Sequence, residues 1–321
     1  MKPASFEYHA PASAEEAVGL LAELGDGAKV IAGGQSLVPV LAMRLAVFDH
    51  LIDIRKIDGL RGIEDRGDSI WIGAGTTEAE IGRSELVAAG VPLLARATPL
   101  IGHFQIRNRG TIGGSLAHAD AAAEYPAVAL ALDAVIEALS PRGQRTIAAR
   151  DFFTGIWETA LEPDELLTGV RFPAETGLGA PGKVAGSDRA RIGGSGGRSM
   201  SSPRASRGSA IEEFARRSGD FAVAGAAVAV GLAGDGTVAD AAISLFGLAS
   251  TPVRAVSAET LAVGSGEAPA SISAEMIGRA AVEDLDSVPS DLHGTADYRR
   301  KVGAVMVARA WDRAVREAAS G

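Results

Sequence analysis

Two short glycine turns, each followed by a helical pattern, constrain this chain more than any other feature in it. The first is Ala32-Gly33-Gly34-Gln35-Ser36, delivered by the apolar run Lys29-Val30-Ile31. The second lies within Arg107-Asn108-Arg109-Gly110-Thr111-Ile112-Gly113-Gly114-Ser115-Leu116-Ala117-His118, where two arginines lead into a backbone of little steric bulk. Glycine lets backbone N–H groups come close to a ligand, and a helix start adds the positive end of its dipole, so such a turn suits a phosphate. One glycine pair is most often only a tight turn. Two of them, each on the N-terminal side of a helix, can grip a pyrophosphate from both sides.

The rest of the sequence narrows the chemistry. With 321 residues the chain exceeds the size at which one core stops growing, so two or three lobes are expected. Its 31 basic and 40 acidic side chains give a net charge of −9, which argues against a nucleic-acid or anionic-membrane partner and requires any basic site to be local. It has no cysteine, hence no disulfide, no thiolate nucleophile and no ligand set for an iron–sulfur cluster. The opening Met1-Lys2-Pro3-Ala4-Ser5-Phe6-Glu7-Tyr8 lacks a signal-peptide core, and the apolar tract around Phe221 to Ala233 is too short and glycine-rich to span a bilayer. Cytoplasmic residence without membrane insertion is the expectation.

Along the chain, Phe6 to His9 reads as a strand, and Ser13-Ala14-Glu15-Glu16 as a capping box opening a helix that Gly25-Asp26-Gly27 stops. The strand ending in the first glycine turn, a helix from Ser36 to Ala46 and a strand from His50 to Arg55 complete a small α/β lobe, residues 1–56. A second α/β lobe, 57–176, takes a strand at Ser69 to Thr77, a helix start at Thr77-Glu78-Ala79-Glu80, helices at Pro92 to Ile101 and Ala122 to Asp133, and strands at Val135 to Leu139 and Leu166 to Phe172. Residues 177–209 hold 9 Gly and 7 Ser with six basic side chains against one acid, the composition of a flexible insertion. Trypsin is expected to cut there first, at Arg189, Arg191, Arg198, Arg204 or Arg207. Gly177 to Lys183 has P-loop spacing, but Val184 stands where Ser or Thr is required. In 210–321 a hairpin of Phe221 to Leu232 and Val238 to Ala249 precedes helices at Glu259 to Val263 and Ile272 to Leu285. A long C-terminal helix follows, with Tyr298, Val302, Val305, Met306 and Ala310 on one face. The fold class is α+β: a two-sublobe fold of small and larger α/β lobes, followed by an antiparallel sheet packed on helices.

Other candidate sites have plain readings. His9, His50, His103, His118 and His293 are scattered, form no His-Glu-x-x-His helix, and read as solvated or core residues rather than metal ligands. Asp120 and Glu124 straddle a helix start after the second turn, as helix caps or as contacts to a hydroxylated part of a ligand. Arg216-Arg217-Ser218-Gly219-Asp220 reads as a solvated turn before a ligand clamp. No side chains are spaced as a nucleophile–base pair or a metal cluster, so no catalytic residue is assigned.

Four segments taken together resemble a known family. Ala32-Gly33-Gly34-Gln35-Ser36-Leu37, Ile106-Arg107-Asn108-Arg109-Gly110-Thr111-Ile112-Gly113-Gly114-Ser115, Phe214-Ala215-Arg216-Arg217-Ser218-Gly219-Asp220-Phe221-Ala222 and Thr251-Pro252-Val253-Arg254-Ala255 are similar, in this order, to the FAD-binding medium subunit of molybdenum hydroxylases of the carbon monoxide and xanthine dehydrogenase type. The resemblance implies noncovalent FAD, with its pyrophosphate at Ala32, Gly33, Gly34, Gln35 and Ser36 and at Thr111, Ile112, Gly113, Gly114 and Ser115, and with Glu124 near the flavin. It also implies a large molybdenum-cofactor subunit and a small subunit carrying 2Fe-2S clusters, from which electrons reach FAD and then an acceptor. Two departures stand out. Ala121 replaces a proline common after the family's His-Ala-Asp, and the basic insertion is foreign to the pattern. A self-sufficient FAD-dependent oxidase of the related two-lobed fold is the alternative.

Overall fold

The computed structural model describes residues 2–174, 206–266 and 268–320. The stretch 177–205, with its P-loop-like spacing and four of the five expected tryptic sites, lies outside the described residues. The fifth, Arg207, sits in the strand Ser206–Phe214 and pairs with Asp240 at 3.1 Å, so the last four residues of the expected insertion are sheet.

The N-terminal lobe is a three-stranded parallel sheet with His50–Asp53 in the middle, flanked by Glu7–His9 and Ala28–Ile31. The helix Ala14–Leu24 covers it with Ala17, Val18 and Leu21. Its capping differs slightly from the expected box: the Ser13 hydroxyl accepts from Glu16 N–H, while the Glu16 carboxylate reaches back to Ala12 N–H, at 2.7 Å, rather than to Ser13. The helix after the first glycine turn is Leu37–Ala42, shorter than expected because Met43 and Arg44 close it.

The second lobe carries a five-stranded sheet ordered Ile63–Asp65, Ser69–Gly73, Leu166–Pro173, Val135–Ser140, Gly143–Ala148. Every pairing in it is antiparallel, so the βα alternation read from sequence does not produce a parallel sheet here. The helix start expected at Thr77 is a capping box: Thr77 Oγ1 accepts from Glu80 N–H, and the Glu80 carboxylate accepts from Thr77 N–H. The helix Glu124–Ala131 is buried on every side, which its run of small apolar residues permits.

That helix is the seat of the C-terminal lobe. A four-stranded antiparallel sheet, Ser206–Phe214, Ala224–Leu232, Val238–Phe246 and Val253–Arg254, packs one face on it and the other on the C-terminal helix Ala296–Ser320. Gly247 N–H donates to Ala121 O at 2.7 Å, Arg254 to Leu130 O at 3.1 Å, and Arg96 to the Ser209 carbonyl and Glu317. The C-terminal helix buries Arg299, Gly303, Met306, Val307, Ala310, Trp311 and Ala314; of the expected face, Met306 and Ala310 are buried and Val302 packs on the core, whereas Tyr298 and Val305 are exposed.

Candidate functional site

In a parallel sheet, ligands gather beyond the carboxyl ends of the strands. Ile31 and Asp53 are register partners at that end, so the first glycine turn and the segment Asp53–Arg55 leave the sheet side by side. Gly34 has φ +73°, the left-handed backbone that favours glycine. Gln35 braces the turn by donating from Nε2 to Gly33 O at 3.0 Å. Among the described residues, the backbone N–H groups of Gly33, Gly34, Gln35 and Ser36 donate to no protein group. Four successive free donors in one turn form an anion-binding concavity.

The second turn works differently from the first. Its N–H groups are already committed: Ile112 to Thr76 O, Gly113 to Ala74 O, Gly114 to Thr111 Oγ1 and Ser115 to Thr111 O. Ile112 is fully buried. The glycines are there for close packing, since a Cβ on Gly113 would lie 2.7 Å from Ala74 O and one on Gly110 would lie 2.7 Å from Glu78 Oε1. The backbone N–H groups of Ile112 to Ser115 are therefore taken up within the protein; Gly114 and Ser115 are half-buried, and Thr111 lines the cleft between the turns. The two turns do meet. A Cβ on Gly33 would lie 2.7 Å from the Arg109 carbonyl carbon and 2.8 Å from Gly110 Cα.

Between them runs a cleft lined by Ala32, Arg55, Arg61, Asn108, Arg109 and Thr111. Arg61 and Arg109 form no salt bridge among the described residues, so a chain of net charge −9 has a local basic site here. Arg55 is fixed by Asp53, 2.5 Å away, and Asp53 also accepts from Tyr8 Oη. Burial alone would raise the Asp53 carboxyl, but hydrogen bonds from Arg55 and Tyr8 outweigh it and hold the group below its ordinary value. Sequence reasoning missed Arg55 and Arg61, because neither belongs to a motif and only the fold turns them to the cleft.

Behind the second turn lies a group of buried carboxyls. Burial pushes Glu78 up to about 7 against the pull of Arg107, and Glu78 Oε2 has no hydrogen-bond partner. Burial pushes Glu124 up to about 8, with Glu213, Glu78 and Asp120 adding to the rise, and Glu213 itself up to about 7. Near neutral pH Glu124 is mostly protonated and Glu78 and Glu213 are partly so, and a protonated carboxyl can donate a hydrogen bond. Neither Glu124 nor Asp120 caps the helix, whose N-cap Ala123 has no side-chain bond; Asp120 braces the preceding turn, accepting from Ala122 N–H at 2.8 Å. Glu78 looks in sequence like an ordinary first-turn acid, and Glu213 carries no signal.

Arg216 to Asp220 is a turn, with Gly219 at φ +84° and Asp220 N–H on Arg217 O. His118 stacks on Trp157, and its imidazole is held low by burial. His9 and His50, far apart in sequence, come together at the opposite end of the parallel sheet.

Residues 4–175 match the FAD binding domain in molybdopterin dehydrogenase, and 209–314 match the CO dehydrogenase flavoprotein C-terminal domain. The chain is 40% identical to the alpha subunit of the 6-hydroxypseudooxynicotine dehydrogenase complex of Paenarthrobacter nicotinovorans, covering 99% of this chain and 97% of the relative. It is 38% identical to the carbon monoxide dehydrogenase medium chain of Afipia carboxidovorans, covering 98% of each. Its structure superposes on carbon monoxide dehydrogenase of Hydrogenophaga pseudoflava with a TM-score of 0.86, at 38% identity and 99% coverage of each chain. Among the described residues no helix is long and apolar enough to cross a membrane.

Proposed function

The chain belongs to the FAD-binding medium-subunit family of molybdenum hydroxylases, and from that premise we propose that it is the electron-transfer flavoprotein of such a complex. In this reading a large molybdenum-cofactor subunit oxidises the substrate, a small 2Fe-2S subunit relays the electrons, and an acceptor collects them from this chain, in the cytoplasm. The bound flavin supplies the exchange between one- and two-electron steps.

The observation that carries the proposal is the set of four free N–H groups at Gly33 to Ser36, directly after Ala32, which lines a cleft with Arg55, Arg61 and Arg109. Such donors suit the doubly charged pyrophosphate of FAD. Ala32 to Ser36 bind it through the backbone. Thr111, which lines the cleft, and Ile112, Gly113, Gly114 and Ser115 form the opposite wall. Glu124, buried and protonated, bounds the flavin side and excludes water there.

The binding is noncovalent, since the chain has no cysteine and neither glycine turn contains a histidine. Acid precipitation of the purified protein releases a yellow supernatant; flavin retained in the pellet contradicts this. A self-sufficient oxidase is separated from the subunit reading by turnover of the isolated chain.

A further inference from the structure

We propose that Glu7, His9 and His50 form a binding site for a divalent transition metal of the zinc class, at the amino ends of the parallel strands and away from the glycine turns. The placement follows from the sheet. Glu7–His9 is an edge strand, parallel to His50–Asp53, with Glu7 in register with His50. Residues i and i+2 of a strand share a face, so Glu7 and His9 project together toward His50 on the neighbouring strand. One ligand atom from each residue lies within 4.8 Å of the others.

The distances point to a cation. His9 Nε2 is 3.2 Å from His50 Nδ1, and Glu7 Oε2 is 3.4 Å from that same nitrogen. Ligands bonded to zinc at 2.0–2.1 Å in a tetrahedron stand about 3.3 Å apart. A proton satisfies the arrangement less well. If His50 Nδ1 is bare it accepts from His9, and its lone pair then faces the Glu7 carboxylate. If it is protonated, its single hydrogen must serve both His9 and Glu7. A metal ion meets all three lone pairs at once and displaces whatever proton lies between them. Two imidazoles and one carboxylate suit zinc and its transition-metal neighbours, whereas magnesium and calcium require oxygen ligands. The site is open to solvent, with Glu7 exposed and both histidines half-buried, which leaves a fourth position for water. Occupancy would cross-link an edge strand to the middle of its sheet.

The experiment uses the full-length, FAD-loaded chain after chelator treatment. Zn2+ is titrated calorimetrically into the wild type, His9→Ala, His50→Gln and Glu7→Gln, with Mg2+ as comparison, and bound flavin is measured in every sample to confirm folding. The expected result is one Zn2+ per chain and no Mg2+ binding. Either histidine variant is expected to lose affinity by at least about tenfold, the loss that even an outer-shell change causes, with flavin content unchanged. Equal Zn2+ affinity in the wild type and both histidine variants, absence of stoichiometric binding, or comparable Mg2+ binding would overturn the site.

Discussion

Gly33 and Gly34 stand next to each other and do different work. Gly34 supplies a left-handed backbone, which an L-residue adopts at a cost of about 1–2 kcal/mol. Gly33 supplies contact, its Cα facing the Arg109–Gly110 backbone with no room for a Cβ. Gly33→Val therefore wedges the two turns apart, at about 1–3 kcal/mol of overpacking. FAD affinity is predicted to fall ~10–100-fold, read as flavin bound per folded chain; full flavin content in a folded Gly33→Val protein would contradict the assignment. Gly114→Val meets softer neighbours, Thr111 Oγ1 at 3.0 Å and Ala32 Cβ at 3.7 Å, and is predicted to weaken FAD binding by obstructing the open part of the wall while leaving the chain folded. The buried carboxyls give a pH signature. Glu78 has an ordinary value of 4.5 and a folded value of about 7, so the unfolded chain ionises first as pH rises through this window and folding stability falls. Glu78→Gln removes that loss. It is predicted to gain about 1–3 kcal/mol at pH 8 relative to its effect at pH 5, measured by urea unfolding at the two pH values; equal effects at both would show that Glu78 is ionised when folded.

At the scale of elements, the C-terminal lobe hangs on side chains that hydrophobic patterning does not register. Arg299 is buried in the long helix and donates to Val223 O at 2.7 Å, Gly247 O at 3.0 Å and Asp291 Oδ2 at 2.6 Å. Replacing it leaves two carbonyls and a carboxylate without their donor, so Arg299→Met is predicted to cost about 3–5 kcal/mol, seen in thermal or urea unfolding; a loss below ~1 kcal/mol would mean the clamp is not formed. The same residue explains where this helix departs from its apolar pattern. Counting apolar side chains selects Met306 and Ala310, which are buried, and Val302, which packs on the core, but also Tyr298 and Val305, which are exposed; the buried face runs instead through Arg299 and Gly303, the latter because a Cβ there would meet Leu248. Elements with caps or alternation were legible: Ser13, Thr77, the first glycine turn and the hairpin pair all appear close to where the residues place them. Gly143–Ala148 was not legible, since four of its six residues are exposed and it forms only as the edge of a sheet. Ser206–Phe214 was hidden at its start by a serine- and arginine-rich composition that its partner strand overrides. At the site, motif residues announced the turns, but which turn holds free donors depends on Ala74 and Thr76, whose carbonyls consume the second turn's N–H groups.

For the whole molecule, three lobes pack together. The cleft between the glycine turns opens between the N-terminal and second lobes, and the third lobe is fastened on Glu124–Ala131. Among the described residues, those lining the cleft include no histidine, carboxylate or thiol, and their arginines suit an anion. The central claim is that this body holds FAD for electrons produced on another polypeptide. The most direct test is anaerobic flavin absorbance. Candidate aromatic heterocycles, aldehydes and carbon monoxide are added first to the FAD-loaded chain alone, then to the chain with its co-purifying molybdenum and iron–sulfur subunits. The account predicts an unbleached flavin in the first case and bleaching by the complex's substrate in the second; bleaching of the isolated chain by a substrate would contradict it and make the protein an oxidase in its own right.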